Sequence, residues 1–242
     1  MLERGLEAWS ESGFPTRPID GELVPTLLEP KTSPDGSETA TAHPHTFLPG
    51  LVENFVYRYE LPIRRELTVL FVDIADSTGA IVGKPPEEAL AYVQRFMGIV
   101  TETALAYCGD VKDYEGDGAL LYFESVAEAT QAALAIRAGL GYGNPDDAGR
   151  LRARLSLDVG DIVIGEIGTA LRRSVALIGP SINRAARLLK QIPPDGIIAT
   201  EAVVARLRIE AQPLAERFAL LDASLELKGF DRETVAAYAI VD

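Results

Sequence analysis

The 242 residues suffice for one medium domain with an appendage or for two small domains, and 47% apolar content supplies a full hydrophobic core. The formal net charge of −13 argues against a general nucleic-acid binder, although a few local cations would still allow a phosphate-bearing substrate. The single cysteine, Cys108, excludes an intrachain disulfide framework, and its apolar helical surroundings predict a buried, unreactive thiol. No apolar run approaches membrane length and the first residues do not resemble a signal peptide, so we expect a cytoplasmic protein without a membrane span.

Residues 1–62 differ in composition from the rest of the chain. They are rich in Pro, Gly, Ser and Thr, which favours an irregular N-terminal extension over an independent core. Both histidines, His43 and His45, fall in this segment, and we interpret them as solvated loop residues because two ligands in a proline-rich loop support a metal site only weakly. Regular patterning begins near residue 63, so we assign residues 63–242 to a folded domain.

The folded part begins with a strand, a helix and a hairpin. The nearly continuous apolar run ELTVLFVDIA predicts a central strand, and PPEEALAYVQRFMGIVTETALAYC has the spacing of a helix. The stretch VKDYEGDGALLYF predicts two strands joined by a tight glycine turn. A second helix, SVAEATQAALAIRAGL, follows with Ser125 as its predicted N-cap.

The second half of the domain alternates and then becomes helical. LRARLSLDVGDIVIGEIG predicts two strands that meet at a Gly160–Asp161 turn, and SINRAARLLKQI predicts a helix after a Gly-Pro break. GIIAT, LELKGF and TVAAYAIV predict late strands around a short helix. The order β-α-β-β-α-β with additions predicts an α/β (α+β) sandwich of the ferredoxin-like class.

Three acids crowd the predicted hairpin: Asp113, Glu115 and Asp117. A solvated turn is one interpretation, because Asp-Gly is a common hairpin signal. A metal site is the other. Asp73 ends the first strand, where it could be a helix cap, but a hairpin beside that strand would let Asp73 and Asp117 share divalent cations. Carboxylate oxygens suit Mg²⁺ or Mn²⁺.

Two further groups of residues point to a phosphate. The turn after Asp73 leads into a helix, so its backbone N–H groups are candidates to hold a phosphate; the turn comprises Ala75, Asp76, Ser77 and Thr78. In the later helix, Asn183 and Arg187 are spaced i, i+4, and an amide and a guanidinium on one face suit a sugar ring and a phosphate. The alternative is that Arg187 pairs with a neighbouring acid.

Five segments in order resemble the catalytic domain of the class III nucleotide cyclases, the family of adenylate and guanylate cyclases: LTVLFVDIADST, YEGDGALLYF, LDVGDIVIGEIG, LIGPSINRAARL and LELKGF. They span about residues 66–240, about three quarters of the chain. The resemblance implies a head-to-tail homodimer with two interfacial active sites and a nucleoside triphosphate substrate. In the implied reaction the substrate's 3′-hydroxyl attacks its own α-phosphorus and releases pyrophosphate.

The resemblance also implies roles for single residues. Asp73 and Asp117 match the two metal-binding aspartates, with the Ile74 carbonyl as a further ligand, and the implied cofactors are two divalent cations, Mg²⁺ or Mn²⁺. Asn183 matches the asparagine that orients the ribose, and Arg187 matches the arginine that stabilises the transition state. One chain of the dimer would supply the metal ligands and its partner the asparagine and the arginine.

The residues that select the base depart from this family. Adenylate cyclases generally carry lysine three residues before the glycine of the Gly-Asp pair, and Asp or Thr ahead of the Asn-Arg helix; this chain has Asp113 and Ala176. Adenine N1 accepts a hydrogen bond and is repelled by a carboxylate, whereas guanine, uracil and cytosine each offer a donor. A one-residue slip or bulge would bring Lys112 to the base instead.

We therefore predict a pyrimidine cyclase that converts UTP to cyclic UMP, similar to the bacterial cyclases of anti-phage signalling, with its effector on a separate chain. Guanylate and adenylate cyclase are the alternatives. Phe230 stands where many relatives have a phosphate-contacting lysine, and Arg172 and Arg173 are candidates to compensate.

Three rival functions are less well supported. A degenerate nucleotide-sensing dimerisation module predicts the loss of a metal or transition-state residue, yet Asp73, Asp117, Asn183 and Arg187 are all present. A diguanylate cyclase has a Gly-Gly-Asp/Glu-Glu-Phe turn that this chain lacks. A ferredoxin-like RNA binder is disfavoured by the acidic charge and by the lack of an aromatic pair on the central strands.

Overall fold

The computed structural model describes residues 61–142, 150–169, 172–230 and 234–240. Residues 1–60 of the predicted extension, with His43 and His45, lie outside the described residues. In chain order the elements are β1 (Ile63–Ile74), α1 (Ser77–Ile81), α2 (Pro86–Ala106), β2 (Asp110–Glu115), β3 (Gly118–Phe123), α3 (Val126–Gly139), β4 (Ala153–Thr169), β5 (Arg172–Ile178), α4 (Pro180–Leu188), a 3₁₀ turn (Leu189–Gln191), β6 (Ile197–Thr200), α5 (Glu201–Glu210), α6 (Gln212–Ala215), β7 (Phe218–Glu226) and β8 (Thr234–Ile240).

The strands form one sheet in the order β2-β3-β1-β4-β6-β8-β7, and β5 pairs with the distal half of β4. The first four strands are antiparallel neighbours in the order β4-β1-β3-β2, which is the ferredoxin-like arrangement. The predicted fold class is therefore confirmed. Strand β6 extends this unit by pairing parallel with β4, and β8 and β7 follow.

Helices cover both faces of the sheet. The apolar faces of α2, α3 and α5 pack on one side of the central strands, through residues such as Phe96, Ile136 and Leu207. On the opposite face, Ala185 of α4 packs against Leu67 and other residues of the central strands. Because β1 is covered on both faces, its sequence is nearly continuous in apolar residues, as the pattern indicated.

Local signals located most of the helix ends correctly. Helix α2 begins with proline and has Glu87 and Glu88 in its first turn. Helix α3 is capped by Ser125, whose hydroxyl accepts a hydrogen bond from the Glu128 N–H at 3.3 Å.

The predicted turn at Gly160–Asp161 is wrong, because β4 continues through it as one long strand. Gly160 pairs with Leu67 and Asp161 pairs with Glu66 on β1. Gly160 instead allows helix α4 to pack close to the strand, since a Cβ at Gly160 would lie 3.4 Å from the Cβ of Ser181 on α4. The Gly-Asp signal thus marks a close approach between strand and helix rather than a turn.

The prediction of a buried Cys108 is also wrong, since its side chain is exposed. Helix α2 ends at Ala106, and Cys108 follows in a left-handed conformation with φ 58°. The Gly109 N–H then donates to the Ala104 carbonyl, which closes the helix end and turns Cys108 outward.

The late part of the domain differs from the prediction in detail. Strand β7 ends at Glu226, so the Lys-Gly-Phe of LELKGF lies in the turn beyond it. Two helices, α5 and α6, stand where one short helix was predicted. Within the described residues, none of the helices combines the length and the hydropathy needed to span a membrane.

Candidate active site

The pairing of β1 with β3 places the hairpin turn beside the end of β1. Asp73 is opposite Gly118 in the ladder, and the Ile74 N–H donates to the Asp117 carbonyl at 3.1 Å. A Cβ at Gly118 would lie 3.1 Å from the Val72 carbonyl oxygen and 3.3 Å from Asp73 Oδ1, so a larger residue would push the turn away. The structure therefore places Asp73 and Asp117 next to each other, as the hypothesis of a shared metal site requires.

The environment of Asp73 disfavours its negative charge. Burial and, to a smaller extent, the nearby charge of Asp117 raise the pKa of the half-buried Asp73 carboxyl from 3.8 to about 6, although Arg154 and Lys190 act in the opposite direction. A carboxylate whose negative charge is disfavoured by burial and by a second carboxylate attracts a cation or a proton. Perturbed acids of this kind cluster at functional sites.

Arginines on β4 provide positive charge next to these acids. Arg154 is opposite Asp73 in the β1–β4 ladder, and its Nη2 lies 3.7 Å from Asp76 Oδ1. Arg152 Nη1 lies 4.0 Å from Asp76 Oδ2. The sequence did not indicate Arg154 and Lys190 as site residues. The alternation in LRARL places Arg152 and Arg154 on one face of a strand, but only the β1–β4 register shows that Asp73 lies beside them.

The turn that follows Asp73 is only partly open to a ligand. The Ala75 N–H already donates to the Arg152 carbonyl at 2.8 Å. Asp76 adopts a left-handed conformation with φ 59°, and its side chain does not cap α1, which begins at Ser77. The Asp76 carboxylate faces the two arginines of β4 instead.

Asn183 and Arg187 are both exposed on α4. Within the described part of the chain neither makes an ion pair or a side-chain hydrogen bond. The acid near this helix is Asp158, and it pairs with Arg184 through Nε at 2.7 Å. Among the described residues nothing supports the alternative in which a neighbouring acid engages Arg187, so this guanidinium is a candidate to bind a ligand.

Strand β2 contains a bulge between Val111 and Asp113, at the position where a slip was considered. The Lys112 side chain is 7% exposed, the Asp113 side chain is 56% exposed, and Lys112 Nζ donates to Asp113 Oδ2 at 2.6 Å. Lysine and aspartate thus form one pair. The lysine is held inside and the carboxylate lies at the surface.

The other predicted base and phosphate residues lie on β5. Ala176 is half-buried and pairs with Gly165, and the backbones of Arg172 and Arg173 pair with the end of β4. In the sheet, β3, β1 and β4 lie between β2, which carries Asp113, and β5, which carries Ala176.

Phe230, which replaces a lysine of many relatives, is half-buried. It packs against a cluster that contains Leu188, Ile192 and Leu227. Its aromatic ring therefore supports the end of α4 and the following turn, and it supplies no charge to a phosphate.

Comparison with solved structures identifies the fold of this domain. The fold is that of the class III nucleotide cyclase catalytic domain. The adenylyl cyclase CyaB from P. aeruginosa superposes with a TM-score of 0.64 at 21% identity, over 76% of this chain and 97% of that one. The guanylate cyclase domain of RhGC from Catenaria anguillulae, solved in complex with GTP, gives a TM-score of 0.63 at 18% identity, over 74% of this chain and 98% of that one.

Sequence comparison gives a likeness over a smaller share of the chain. Adenylate cyclase 1 of Rhizobium meliloti (strain 1021) is 27% identical over 166 residues, which are 62% of this chain. The matched region is 25% of that protein, so the chain corresponds to about a quarter of the relative's length. No protein-family model matches the chain.

Proposed function

We propose that this chain is a nucleotide cyclase that converts a nucleoside triphosphate to a 3′,5′-cyclic nucleotide and pyrophosphate. The observation that carries the proposal is the pair of carboxylates formed by Asp73, near the end of β1, and Asp117, in the adjacent hairpin turn, with the pKa of Asp73 raised to about 6. The likeness in fold to adenylyl and guanylyl cyclases supports the same function.

The residues fit divalent cations of the magnesium type. No group of three or more His, Cys, Asp or Glu side chains able to hold a metal is gathered within residues 61–142, 150–169, 172–230 and 234–240. Mg²⁺ is commonly held by one or two carboxylates together with substrate phosphates, which is the donor set that Asp73, Asp117 and the Ile74 carbonyl offer. We propose two such cations; when bound, they supply neutralisation of phosphate charge and a lower pKa for the 3′-hydroxyl.

The chain's own residues bind and orient the substrate around these acids. In the proposed reaction the bond from O3′ to the α-phosphorus forms while the bond from that phosphorus to the pyrophosphate oxygen breaks. Arg187 stabilises the charge that develops on the α-phosphate, and Asn183 holds the ribose. Arg154, beside Asp73, is placed to bind the polyphosphate chain once its contact with Asp76 is replaced.

We propose that the working unit is a homodimer with two shared sites. Ala176 pairs with Gly165, and the segment of β4 from Arg154 to Gly165 spans about 36 Å at about 3.3 Å per residue. We infer from this separation along the strand that a nucleotide held at Asp73 does not reach Ala176 of the same chain. A head-to-tail partner solves this, because it brings its own β5 and α4 to the acids of the first chain.

For the base we propose uracil, with UTP as substrate. Lys112 donates to one oxygen of Asp113 and fixes an exposed carboxylate. An oriented carboxylate accepts a hydrogen bond from uracil N3–H, whereas it repels the acceptor N1 of adenine. We also propose that the product acts in anti-phage signalling through an effector on a separate chain, as a pyrimidine cyclase of that kind would.

One observation favours adenylate cyclase as a second candidate. The bulge in β2 brings a lysine next to the position that reads the base. If Lys112 exchanged Asp113 for adenine N1, the chain would read ATP as a lysine-bearing cyclase does.

Substrate profiling separates these candidates. We would incubate the purified protein with ATP, GTP, UTP and CTP in turn, with Mn²⁺ present, and identify the products by mass spectrometry. Cyclic UMP as the main product is expected, and cyclic AMP as the main product would establish the second candidate. Absence of a cyclic product from all four substrates would overturn the enzyme function and favour a degenerate sensing module.

A matched variant controls the base assignment. Asp113→Asn should change the preference among the four substrates more than it changes the dependence on Mn²⁺, because the amide keeps the shape of the carboxylate but loses its charge. Glu115→Gln, an exposed acid of the same strand, should change neither.

A further inference from the structure

Behind α4 lies a buried polar network that the proposed reaction does not use directly. The Asp158 side chain is fully buried on β4. Its Oδ1 accepts hydrogen bonds from Thr200 Oγ1 at 2.7 Å and from the Val159 N–H at 2.8 Å. Its Oδ2 accepts the bond from Arg184 Nε at 2.7 Å. The two contacts to Oδ1 fix the orientation of the carboxylate, so the direction in which it holds Arg184 is also fixed.

Arg184 belongs to the helix that carries Asn183 and Arg187. The helix has nine residues, which is too short to hold its conformation without tertiary contacts. Two other contacts limit its position: Ser156 Oγ donates to the Ala185 carbonyl at 2.8 Å, and Ser181 lies directly over Gly160. The Asp158–Arg184 pair is the charged contact of this set.

A buried ion pair is weak support for a role in stability alone. Removing charges from water costs several kcal/mol, and well-packed apolar residues of similar volume often replace such pairs without loss. Burial raises the pKa of Asp158 in spite of its three hydrogen-bond donors, so holding this carboxylate in its ionised form costs free energy of folding. What the pair provides beyond packing is direction, since it fixes the rotation of α4 about its axis.

We propose that Asp158, acting through Arg184, is a positioning residue that sets the rotation of α4 and thereby aims Asn183 and Arg187 at the substrate held by the partner chain. The inference rests on the proposed function. A displacement of about 1 Å by a residue outside the reacting groups can lower a rate about a hundred-fold. We therefore expect Asp158→Asn to lower kcat about 10–100-fold and to change KM for the nucleotide much less.

Mixed dimers test this inference and separate it from simple loss of folding. Asp73→Ala lacks the metal site and Arg187→Ala lacks the transition-state arginine, so a mixture of the two should regain activity through one intact site. An Asp158→Asn chain should be rescued by the Asp73→Ala chain, which supplies an intact α4. It should not be rescued by the Arg187→Ala chain. Rescue by both or by neither would overturn the inference, and failure of the first mixture would overturn the shared site of the proposed function instead.

Two more variants complete the experiment. In Asp158→Asn/Arg184→Gln both partners of one contact are altered, so kcat should be no lower than in the slower of the two single variants. Arg208→Gln is the matched control, because it removes an exposed arginine that pairs with Glu201 at 2.8 Å away from α4, and it should leave kcat unchanged. A double variant as slow as the product of the single effects would show that the two side chains act independently and would contradict the inference.

Discussion

Two aspartates on neighbouring strands, Asp73 of β1 and Asp158 of β4, show how differently one chain treats a buried carboxylate. Burial is the main cause of a raised pKa for both. Asp158 has three hydrogen-bond donors, one of them a guanidinium. Asp73 has another carboxylate, Asp117, as its neighbour. A compensated carboxylate holds structure in place, whereas an uncompensated one is poised to bind a cation.

The largest expected effect is the loss of turnover in Asp117→Ala. The variant lacks one of the two proposed metal-binding carboxylates. Stabilisation of charge in the transition state should fall by several kcal/mol, so kcat/KM should fall about a thousand-fold or more. Product formation by mass spectrometry measures the loss. Glu115→Ala is the control in the same hairpin, and an Asp117→Ala protein with more than about a tenth of normal turnover would contradict the role of the pair.

Next in size is the effect of Asp158→Asn on folding. The asparagine amide would present an N–H donor to the Arg184 Nε–H in place of an acceptor, so the free energy of unfolding should fall by about 1–3 kcal/mol. Urea denaturation followed by circular dichroism measures this change. An unchanged midpoint would show that the network is not needed for stability, which would leave positioning as its whole contribution.

When no metal is added, Asp73→Asn should instead raise the free energy of unfolding. Because the pKa of Asp73 is raised from 3.8 to about 6, the stability associated with its protonated form is fully present below pH 3.8 and is lost as the pH rises through about 6. The amide keeps that stability at all pH values. At pH 7.5 we expect the variant to be about 1 kcal/mol more stable, a value discounted because the group is half exposed.

The same pKa predicts how metal binding depends on pH. A cation must displace the proton from Asp73, so Mn²⁺ should raise the melting temperature clearly at pH 7.5 and much less at pH 5. Thermal denaturation with and without MnCl₂ measures this. An equal shift at both pH values, or a full shift in Asp73→Asn, would place the cation elsewhere.

The smallest effect concerns Asp76, whose exposed carboxylate contacts the two arginines of β4 at 3.7 and 4.0 Å. Exposed ion pairs contribute about 0–1 kcal/mol, so Asp76→Gly should lower KM for the nucleotide by no more than about fivefold as Arg154 becomes free for phosphate. Glycine also suits the left-handed backbone at this position. A higher KM in steady-state assays would show that Asp76 helps to bind the substrate.

Much of the fold could be predicted from sequence because its signals are local. The apolar run of β1, the periodicity of α2 and the cap at Ser125 each depend on neighbours within a few residues. Prediction from sequence failed where the conformation of a residue depends on contacts that the local pattern does not show. Gly160 has the sequence of a turn, but α4 packs over it, and Cys108 has helical neighbours, but the helix ends two residues earlier.

The sequence by itself determined the ferredoxin-like order of elements, the i, i+4 spacing of Asn183 and Arg187, and the acids of the hairpin, since periodicity and turn chemistry are written in short stretches of chain. Only the tertiary structure determined which charged side chains lie next to each other. It placed Asp117 beside Asp73 through the β1–β3 register, joined Asp158 to Arg184, left Arg187 without an acid partner among the described residues, and turned Lys112 inward at a bulge. Strand register and helix packing make these choices, and both depend on contacts between residues far apart in the chain.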